Sequence, residues 1–196
     1  MTDKQTLAVY DAKIEDYKNL TAAQPGFALR QFIAALPANG TALDLGCGPG
    51  FAAAEMALKG LRVTATDASP EMANAAGQHQ GVIARCEDFS AIPTTPTYDG
   101  IYANFSLLHG RKADFTGYIT ACHAALNPNG YLHLGLKQGT GEERDAIGRF
   151  YSYYMPDELH DILSQAGFTV AWKTEGEEVG MAGSMDPFIL IQARKI

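Results

Sequence analysis

Two patterns of apolar residues alternate along the chain: short continuous runs, typical of buried strands, and spacings of three or four residues, typical of amphipathic helices. The runs predict strands at residues 41–46, 61–66, 82–84, 98–103 and 131–137. Helical segments separate most of these strands. Repeated strand, helix, strand units of this length predict a parallel sheet that is wound on both faces.

Four apolar stripes at helical spacing define the clearest helices. They are Leu7, Tyr10, Ile14 and Tyr17; Leu29, Phe32, Ile33 and Leu36; Phe115, Ile119, Cys122 and Leu126; and Leu159, Ile162, Leu163 and Ala166. Two further helices are predicted from their end residues. Gly60 closes a helix at 49–59, and Ser69 caps the next helix, with Pro70 at its first position.

The last part of the chain departs from this alternation. Residues 168–173 and 187–193 are predicted strands, and the glycine-rich segment between them is too short for a helical crossover. The two strands are therefore expected to pair antiparallel. The patterns together predict an α/β fold with a doubly wound, Rossmann-like mixed sheet of seven strands, the last antiparallel, and helices on both faces. A turn is predicted at 127–130.

The loop after the first strand has three glycines in five positions, Gly46, Gly48 and Gly50. Glycine adopts positive φ and carries no Cβ, so the loop indicates a ligand that lies close against the main chain. A dinucleotide-binding turn has the spacing G-x-G-x-x-G, and its third glycine would fall on Phe51. The spacing here is G-x-G-x-G, with the acidic Asp44 in the preceding strand.

This stretch, Asp-Leu-Gly-Cys-Gly-Pro-Gly, resembles the first motif of the class I S-adenosylmethionine-dependent methyltransferases. The resemblance extends from about residue 42 to 196, with its strongest motifs between 42 and 109. It implies S-adenosyl-L-methionine as cofactor and S-adenosyl-L-homocysteine as product. The segment 106–109 and the turn at 127–130 are similar to small bacterial members that act on metabolites.

Further cofactor contacts are expected where successive strands end. Asp67 lies 21 residues after Gly46, where a carboxylate can accept both ribose hydroxyls. The resemblance implies that Asp88 accepts the adenine amino group. It also implies that Asn104 and Phe105 contact the methionine part. The predicted cofactor-binding residues are Asp44, Gly46, Cys47, Gly48, Gly50, Asp67, Ala68, Met72, Asp88, Phe89, Asn104 and Phe105; for Met72, a position in the core is the alternative.

Methyl transfer by in-line displacement depends mainly on alignment, and a general base helps only if the acceptor is a hydroxyl or a protonated amine. His109, which follows the fourth strand, is the predicted base because its ordinary pKa is near 6.5. The alternative is that His109 only hydrogen-bonds the cofactor or caps a helix. Tyr153 is the second predicted catalytic residue.

Two groups of residues are predicted to surround the acceptor and the cofactor. The segment 149–154 holds three tyrosines and Arg149, which could bind a planar or carboxylate-bearing acceptor, with Arg149 as the partner of an anion. Simple packing is the alternative. Tyr10 and Tyr17, on the first helix, are predicted either to close over the cofactor or to pack between helices.

Composition and charge narrow the class of protein. The chain has 196 residues, a net charge of −7 and 46% hydrophobic residues, which fits one globular domain and argues against a partner that is gripped through nucleic-acid phosphates. Cys47, Cys86 and Cys122 are widely spaced, so neither a metal site nor a disulfide framework is expected, and a reducing cytoplasm fits best. No secretory leader or membrane span is expected.

These observations predict a single domain over 1–196, with a candidate lid at 1–38, the core sheet at 39–196 and a candidate acceptor lid at 138–157. The predicted function is methyl transfer to a small-molecule acceptor, without nucleic acid, membrane or metal; monomer and homodimer both stay open. The alternatives are a non-catalytic sensor or scaffold that binds the cofactor, and a nicotinamide-dependent oxidoreductase. Phe51 and the terminal hairpin argue against the oxidoreductase.

Overall fold

The computed structural model describes residues 3–15 and 26–196, so Tyr17 lies outside the described residues. The helices are α1 (Lys4–Ala12), α2 (Phe27–Ala35), α3 (Phe51–Leu58), α4 (Pro70–Ala76), α5 (Lys112–Ala125) and α6 (Pro156–Gln165). The strands are β1 (Thr41–Leu45), β2 (Arg62–Asp67), β3 (Val82–Cys86), β4 (Tyr98–Asn104), β5 (Leu126–Lys137), β6 (Glu142–Arg144), β7 (Phe150–Ser152), β8 (Phe168–Val179) and β9 (Met185–Lys195).

Seven of the strands in the described residues form one sheet, in the order β3-β2-β1-β4-β5-β9-β8. Strands β1 to β5 pair in parallel, whereas β9 lies between β5 and β8 and is antiparallel to both. The predicted mixed sheet with an antiparallel last strand is therefore confirmed. The strand order reverses between β1 and β4, which is where open α/β sheets bind their ligands.

Alternate residues of the strands face two separate parts of the core. Leu43 and Ile101 point towards α5 and α6 and pack with Phe115 and Leu159, among other side chains. The neighbouring residues Ala42 and Tyr102 point to the other face, where they pack with Phe32 of α2 and Met56 of α3. Helices therefore cover both faces, as predicted.

The signals at two helix ends are confirmed. Ser69 caps α4, because its side chain accepts a hydrogen bond from the Met72 backbone N–H at 3.0 Å. Gly60 follows α3 with φ of +88°, a conformation that favours glycine. Both helix ends depend on the backbone geometry of a few neighbouring residues, so the sequence alone was enough to predict them.

The turn predicted at 127–130 is wrong. These residues belong to β5, where the pairing with β4 shifts between Tyr98 and Gly100, and they form a bulge. Asn129 has φ of +67° in this bulge. The amide of Asn127 donates a hydrogen bond to Asp99 Oδ1 at 2.8 Å, which holds the bulge against β4. Asn and Gly are common both in turns and in β-bulges, so the residue types at 127–130 could not distinguish a turn from a bulge.

The two C-terminal strands are longer than predicted, since five residues connect β8 to β9. The extra part of β8 includes Glu175, Glu177 and Glu178, which carry no apolar alternation but still pair with β9. A small hairpin of β6 and β7 occupies the predicted acceptor-lid segment and had no sequence signal. Within residues 3–15 and 26–196, no helix has the length and apolar character needed to cross a membrane.

Candidate active site

Two adjoining hollows lie over the carboxyl ends of the parallel strands. We call the smaller one the inner cavity; the space between its lining residues is about 570 Å³, part of which is open to solvent. Its lining comes from α1, from the ends of β1, β2 and β4, and from the loop after β3. These residues are Thr6, Leu7, Tyr10, Gly46, Gly48, Asp67, Ala68, Met72, Glu87, Phe89, Phe105, Ser106 and His109.

The second hollow, the outer cleft, is larger, with about 1920 Å³ of space between its lining residues, part of which is open to solvent. It is bounded by the start of α2, the ends of β1, β4 and β5, the segment before β7, and the β8–β9 hairpin. Tyr10, Gly46 and Phe105 line both hollows, so the two meet at these residues. The aromatic side chains of the outer cleft are Tyr10, Phe27, Phe51, Tyr102, Phe105, Tyr151, Trp172 and Phe188.

The three glycines of the loop after β1 serve different purposes. A Cβ on Gly46, which has φ of +72°, would lie 2.3 Å from Ser106 Cβ, and a Cβ on Gly50, with φ of +84°, would lie 2.7 Å from Ala76 Cα. Protein packing therefore requires glycine at both positions. Gly48 has φ of +52°, and its backbone N–H donates to Asp67 Oδ2 at 2.9 Å. Gly46 and Gly48 line the inner cavity, whereas Gly50 lines neither hollow.

Asp67 ties the glycine loop to the turn that follows β2. Its Oδ2 accepts from Gly48 and its Oδ1 accepts from the Ser69 backbone N–H, both at 2.9 Å. Burial raises the pKa of Asp67, and the two backbone hydrogen bonds act in the opposite direction. Each carboxylate oxygen has two lone pairs, so Asp67 has the capacity to accept ligand hydroxyls in addition. It lines the inner cavity, in the predicted position.

Asp44 is fully buried at the end of β1 and lines the outer cleft. Its Oδ2 has no hydrogen-bond partner in the described part of the chain. Burial raises the pKa of Asp44 to about 7; a backbone hydrogen bond from Ala53 lowers it, and the charge of Asp67 raises it. A buried carboxylate oxygen without a donor is an expensive feature, and a cationic or N–H donor group of a ligand would satisfy it.

The loop after β3 contains the predicted residues Asp88 and Phe89. Asp88 uses its carboxylate to accept from the backbone N–H and hydroxyl of Ser90, and it does not line either hollow. Glu87, one residue earlier, lines the inner cavity instead. Phe89 lines it as well. The predicted residues Ala68 and Met72 also line the inner cavity, and Met72 is only 2% exposed.

Asn104 and Phe105 follow β4 at the boundary of the two hollows. Asn104 lines the outer cleft, and its Oδ1 accepts from His133 Nε2 at 3.1 Å. Phe105 has φ of +53°, which is rare for a bulky residue and indicates a constrained backbone. His133 is stacked on Tyr102 with ring centroids 4.3 Å apart, and burial lowers its pKa to about 3. His133 is therefore neutral, and its hydrogen bond holds the Asn104 side chain in position.

His109 is buried behind Tyr10, and its tautomer follows from its partners. His109 Nδ1 lies 2.7 Å from the backbone oxygen of Phe150, which can only accept, so Nδ1 carries the hydrogen. His109 Nε2 then accepts from the Tyr10 hydroxyl at 2.9 Å. Burial, with a smaller contribution from the charge of Arg149, lowers the pKa of His109 to about 4. The side chain is therefore neutral at physiological pH and can accept a proton.

Arg149 is paired inside the protein. Its Nε and Nη2 donate to Asp145 Oδ2 at 2.8 and 2.7 Å, and its Nη1 donates to the Tyr10 hydroxyl at 3.1 Å. It lines the outer cleft, but its charge is balanced by Asp145. Tyr151 also lines this cleft. Tyr153, the second predicted catalytic residue, is not among the residues that line either hollow; it packs beside Gly139.

Helix α1 is fastened over the inner cavity by contacts that the sequence did not indicate. Thr6 Oγ1 accepts from the Phe150 backbone N–H at 2.8 Å, and Asp3 forms a two-pronged ion pair with Arg144. These partners are more than 140 residues apart along the chain. Periodicity and motif spacing report local structure, so neither could predict them.

Comparison with known proteins agrees with this geometry. A family model described as a methyltransferase domain matches residues 42–130, which include β1, the glycine loop, Asp67 and the segment after β4. The matched segment, a little under half of the chain, resembles a methyltransferase domain. A ubiquinone biosynthesis O-methyltransferase of Xanthomonas axonopodis pv. citri (strain 306) is 35% identical to this chain over 106 residues. The match spans 50% of this chain and 43% of that protein.

Solved structures share the fold of this chain. The 1,6-didemethyltoxoflavin-N1-methyltransferase of Burkholderia thailandensis, solved with 1,6-didemethyltoxoflavin and S-adenosylhomocysteine, is 24% identical, with a TM-score of 0.76 over 97% of this chain and 87% of that one. The magnesium protoporphyrin IX methyltransferase of Synechocystis PCC 6803, solved with S-adenosylhomocysteine, is 16% identical, with a TM-score of 0.73 over 99% and 100%.

Proposed function

We propose that this protein transfers a methyl group from S-adenosyl-L-methionine to a small-molecule acceptor by in-line displacement. One observation carries the proposal: an inner cavity and an outer cleft meet at Tyr10, Gly46 and Phe105. A donor in the first and an acceptor in the second would face each other at this boundary. Alignment of this kind is the main contribution that a protein can make to a displacement reaction.

The residues of the inner cavity fit the proposed cofactor. Asp67 would accept the ribose hydroxyls, while Met72 and Phe89 would provide apolar contacts for the adenine. Asp44, which lines the adjoining outer cleft and whose Oδ2 has no hydrogen-bond partner among the described residues, would hold the cationic amino group of the methionine part. The bound cofactor supplies a methyl group that is already activated by a sulfonium. The predicted contributions of Cys47, Ala68, Asp88 and Asn104 stay predictions.

The shape of the outer cleft supports the proposal of a small-molecule acceptor. It is enclosed by α2, the strand ends and the β8–β9 hairpin, and the predicted lid segment contributes Arg149 and Tyr151 to it. Helix α1, which lies in the other predicted lid, contributes to the inner cavity. We retain the proposal of a cytoplasmic protein without a nucleic-acid partner. The net charge of −7 and the three free cysteines support that proposal.

Calorimetry tests the cofactor, and labelled methyl transfer tests the activity. We expect S-adenosylhomocysteine to bind and NAD to give no heat of binding; tight binding of NAD alone would refute the proposal. We then expect S-adenosylmethionine with a labelled methyl group to label a component of a bacterial metabolite extract. Binding of S-adenosylhomocysteine without any labelled product would favour the sensor or scaffold alternative.

Binding of S-adenosylhomocysteine at pH 7 is expected to release a proton from Asp44. The pKa of Asp44 is raised to about 7, so roughly half of these carboxyls are protonated at that pH. The cationic amino group of the ligand favours the charged carboxylate and lowers this pKa, so up to about half a proton leaves per site. Calorimetry in phosphate and in Tris buffer measures the release from the difference in heat.

Two comparisons separate Asp44 from other titrating groups. The difference in heat between the buffers should fall steeply at pH 8, where about nine tenths of these carboxyls are already ionised in the free protein. It should also be lost in the Asp44→Asn variant at pH 7. A heat at pH 7 that is the same in both buffers for the unmodified protein would show that Asp44 does not meet the amino group.

A further inference from the structure

The walls of the outer cleft are aromatic, and its cations are already paired. Lys137 Nζ forms an ion pair with Asp186 at 2.5 Å, and Arg149 is held by Asp145 at 2.7 Å. The cleft therefore offers no unbalanced positive charge from these two residues to an anionic acceptor. Aromatic side chains favour flat, apolar ligands through stacking and edge-to-face contacts. These features favour a flat ring system over a carboxylate or a sugar.

Tyr10 has a position that simple packing does not require. Its side chain lines both hollows, so it lies where the donor and the acceptor would meet. Its hydroxyl donates to His109 Nε2 at 2.9 Å, and it accepts from Arg149 Nη1 at 3.1 Å and from the Tyr151 side chain. Because His109 Nδ1 donates to the Phe150 backbone oxygen, Nε2 is the proton-accepting atom. The phenol therefore connects the boundary of the two hollows to a buried neutral imidazole.

We propose that the methyl acceptor is a flat aromatic compound whose reacting oxygen or nitrogen carries a hydrogen, and that this proton leaves through Tyr10 to His109. This inference rests on the proposed methyl transfer and extends it to a substrate class. A phenolic hydroxyl and a ring N–H both fit. Carboxylates and thiolates carry no proton on their reacting atoms, so their methylation would not require the Tyr10–His109 pair.

Atoms and charges balance in this step. The acceptor's O–H or N–H bond breaks, and its electron pair forms the new bond to the methyl carbon while the carbon–sulfur electron pair stays on sulfur. The acceptor proton passes to the Tyr10 oxygen as the Tyr10 proton passes to His109 Nε2. His109 becomes an imidazolium whose Nδ1–H still donates to Phe150. One positive charge disappears from the sulfonium as one appears on His109, so the net charge of the site is unchanged.

The charged and titratable groups around His109 come from several elements. Tyr10 faces it from α1, Lys137 from the end of β5, Tyr151 from β7, and Arg149 and Asp145 from the segment before β7. Burial and the two cations lower the pKa of His109, whereas Asp145 raises it. His109 therefore stays neutral, and able to accept a proton, at every pH above about 5. We expect methyl transfer to a phenol to keep its rate down to that pH. An ordinary histidine base would instead lose activity below about pH 6.5.

Two probes with the same ring system test the inference: 2-naphthol, which must lose its proton, and 2-naphthalenethiol, an aryl thiol that is already ionised at neutral pH. We expect both probes to bind the protein loaded with S-adenosylhomocysteine, with quenching of naphthol fluorescence. Tyr10→Phe keeps the ring and removes the hydroxyl. It should lower methyl transfer from labelled donor to 2-naphthol about 100-fold, and transfer to the thiol less than about threefold.

Controls separate chemistry from folding. Tyr131→Phe removes a hydroxyl from a β5 residue that lines neither hollow and should leave both rates unchanged. His109→Asn should reproduce the selective loss with 2-naphthol. Its Nδ2–H can still donate to Phe150, but it offers no basic nitrogen to Tyr10. Retained affinity for S-adenosylhomocysteine shows that each variant is folded; if Tyr10→Phe fails this check, His109→Asn decides.

Each other result contradicts the inference. These results are no binding of either probe, no transfer to bound 2-naphthol, an unchanged naphthol rate in Tyr10→Phe, or equal losses with both probes, which would assign Tyr10 a structural role. Methylation of the thiol without methylation of 2-naphthol would overturn the inference and leave the proposed methyl transfer intact. Failure to bind S-adenosylhomocysteine at all would instead overturn the proposed function.

Discussion

Gly46→Ala is expected to lower the free energy of unfolding by about 2–4 kcal/mol. The left-handed φ of +72° costs alanine about 1 kcal/mol, and the new Cβ would lie 2.3 Å from Ser106 Cβ, which adds the cost of overpacking, about 1–3 kcal/mol. Ser106 cannot move aside cheaply, because it is buried and its hydroxyl donates to the Leu45 backbone oxygen. Thermal unfolding should show a melting temperature lower by on the order of 10 °C.

Gly117→Ala is the matched control. Gly117 lies in α5, and a Cβ there would meet no other atom within 4 Å. Alanine is the better helix former by about 1 kcal/mol, so this variant should be slightly more stable than the unmodified protein. Equal melting temperatures for the two variants would mean that Ser106 does not fill the space above Gly46. Opposite shifts would separate a glycine required by packing from one that is not.

The elements that the sequence predicted well are those with local causes. The strand and helix order follows from apolar periodicity, and the caps at Ser69 and Gly60 follow from backbone geometry within a few residues. The sequence located the glycine loop correctly, but the reason given for its three glycines is only partly right. The spacing suggested three glycines that admit a ligand, yet Gly46 accommodates Ser106 and Gly50 accommodates Ala76. Glycine in a loop indicates a close approach but not which atoms approach.

The rest of the site depends on contacts between distant parts of the chain. Tyr10 meets His109 across 99 residues and Arg149 across 139. Only the packing of α1 against the segment before β7 creates that network. The same packing balances the charge of Arg149 with Asp145, so the anion-binding prediction for Arg149 loses its physical basis. Glu87, and not Asp88, lines the inner cavity. The cause is local, because the Asp88 side chain caps a short helical turn.

The predicted residues and the missed residues differ in how many elements position them. Residues that meet the proposed cofactor lie on loops after β1, β2 and β4, where each strand fixes the position of its own loop. Residues that meet the proposed acceptor come from α1, β5, β7, β8 and β9, and no single element positions them. The positions of the proposed cofactor residues can therefore be predicted from one motif, whereas those of the proposed acceptor residues require the fold.

Asp67→Ala is expected to weaken the binding of S-adenosylhomocysteine by about 10- to 150-fold. A hydrogen bond to a charged group contributes about 1.5–3 kcal/mol, and each 1.4 kcal/mol is tenfold in affinity. The variant loses the proposed ribose contacts. It also releases the Gly48 and Ser69 backbone N–H groups, both held at 2.9 Å, so the glycine loop loses its anchor. Calorimetry gives the affinity, and Asp161→Ala, which removes an exposed carboxylate from α6, should leave it unchanged.

A ligand comparison separates the ribose contact from the loop anchor. Adenosine and 2′,3′-dideoxyadenosine differ only in the two hydroxyls, and competition against S-adenosylhomocysteine gives the affinity of each. The unmodified protein should prefer adenosine, and Asp67→Ala should lose this preference, because the coupling between hydroxyls and carboxylate disappears when either is removed. If both ligands weaken equally in the variant, Asp67 acts only through the loop. The carboxylate would then support the site by holding Gly48 and Ser69, and another residue would have to bind the ribose.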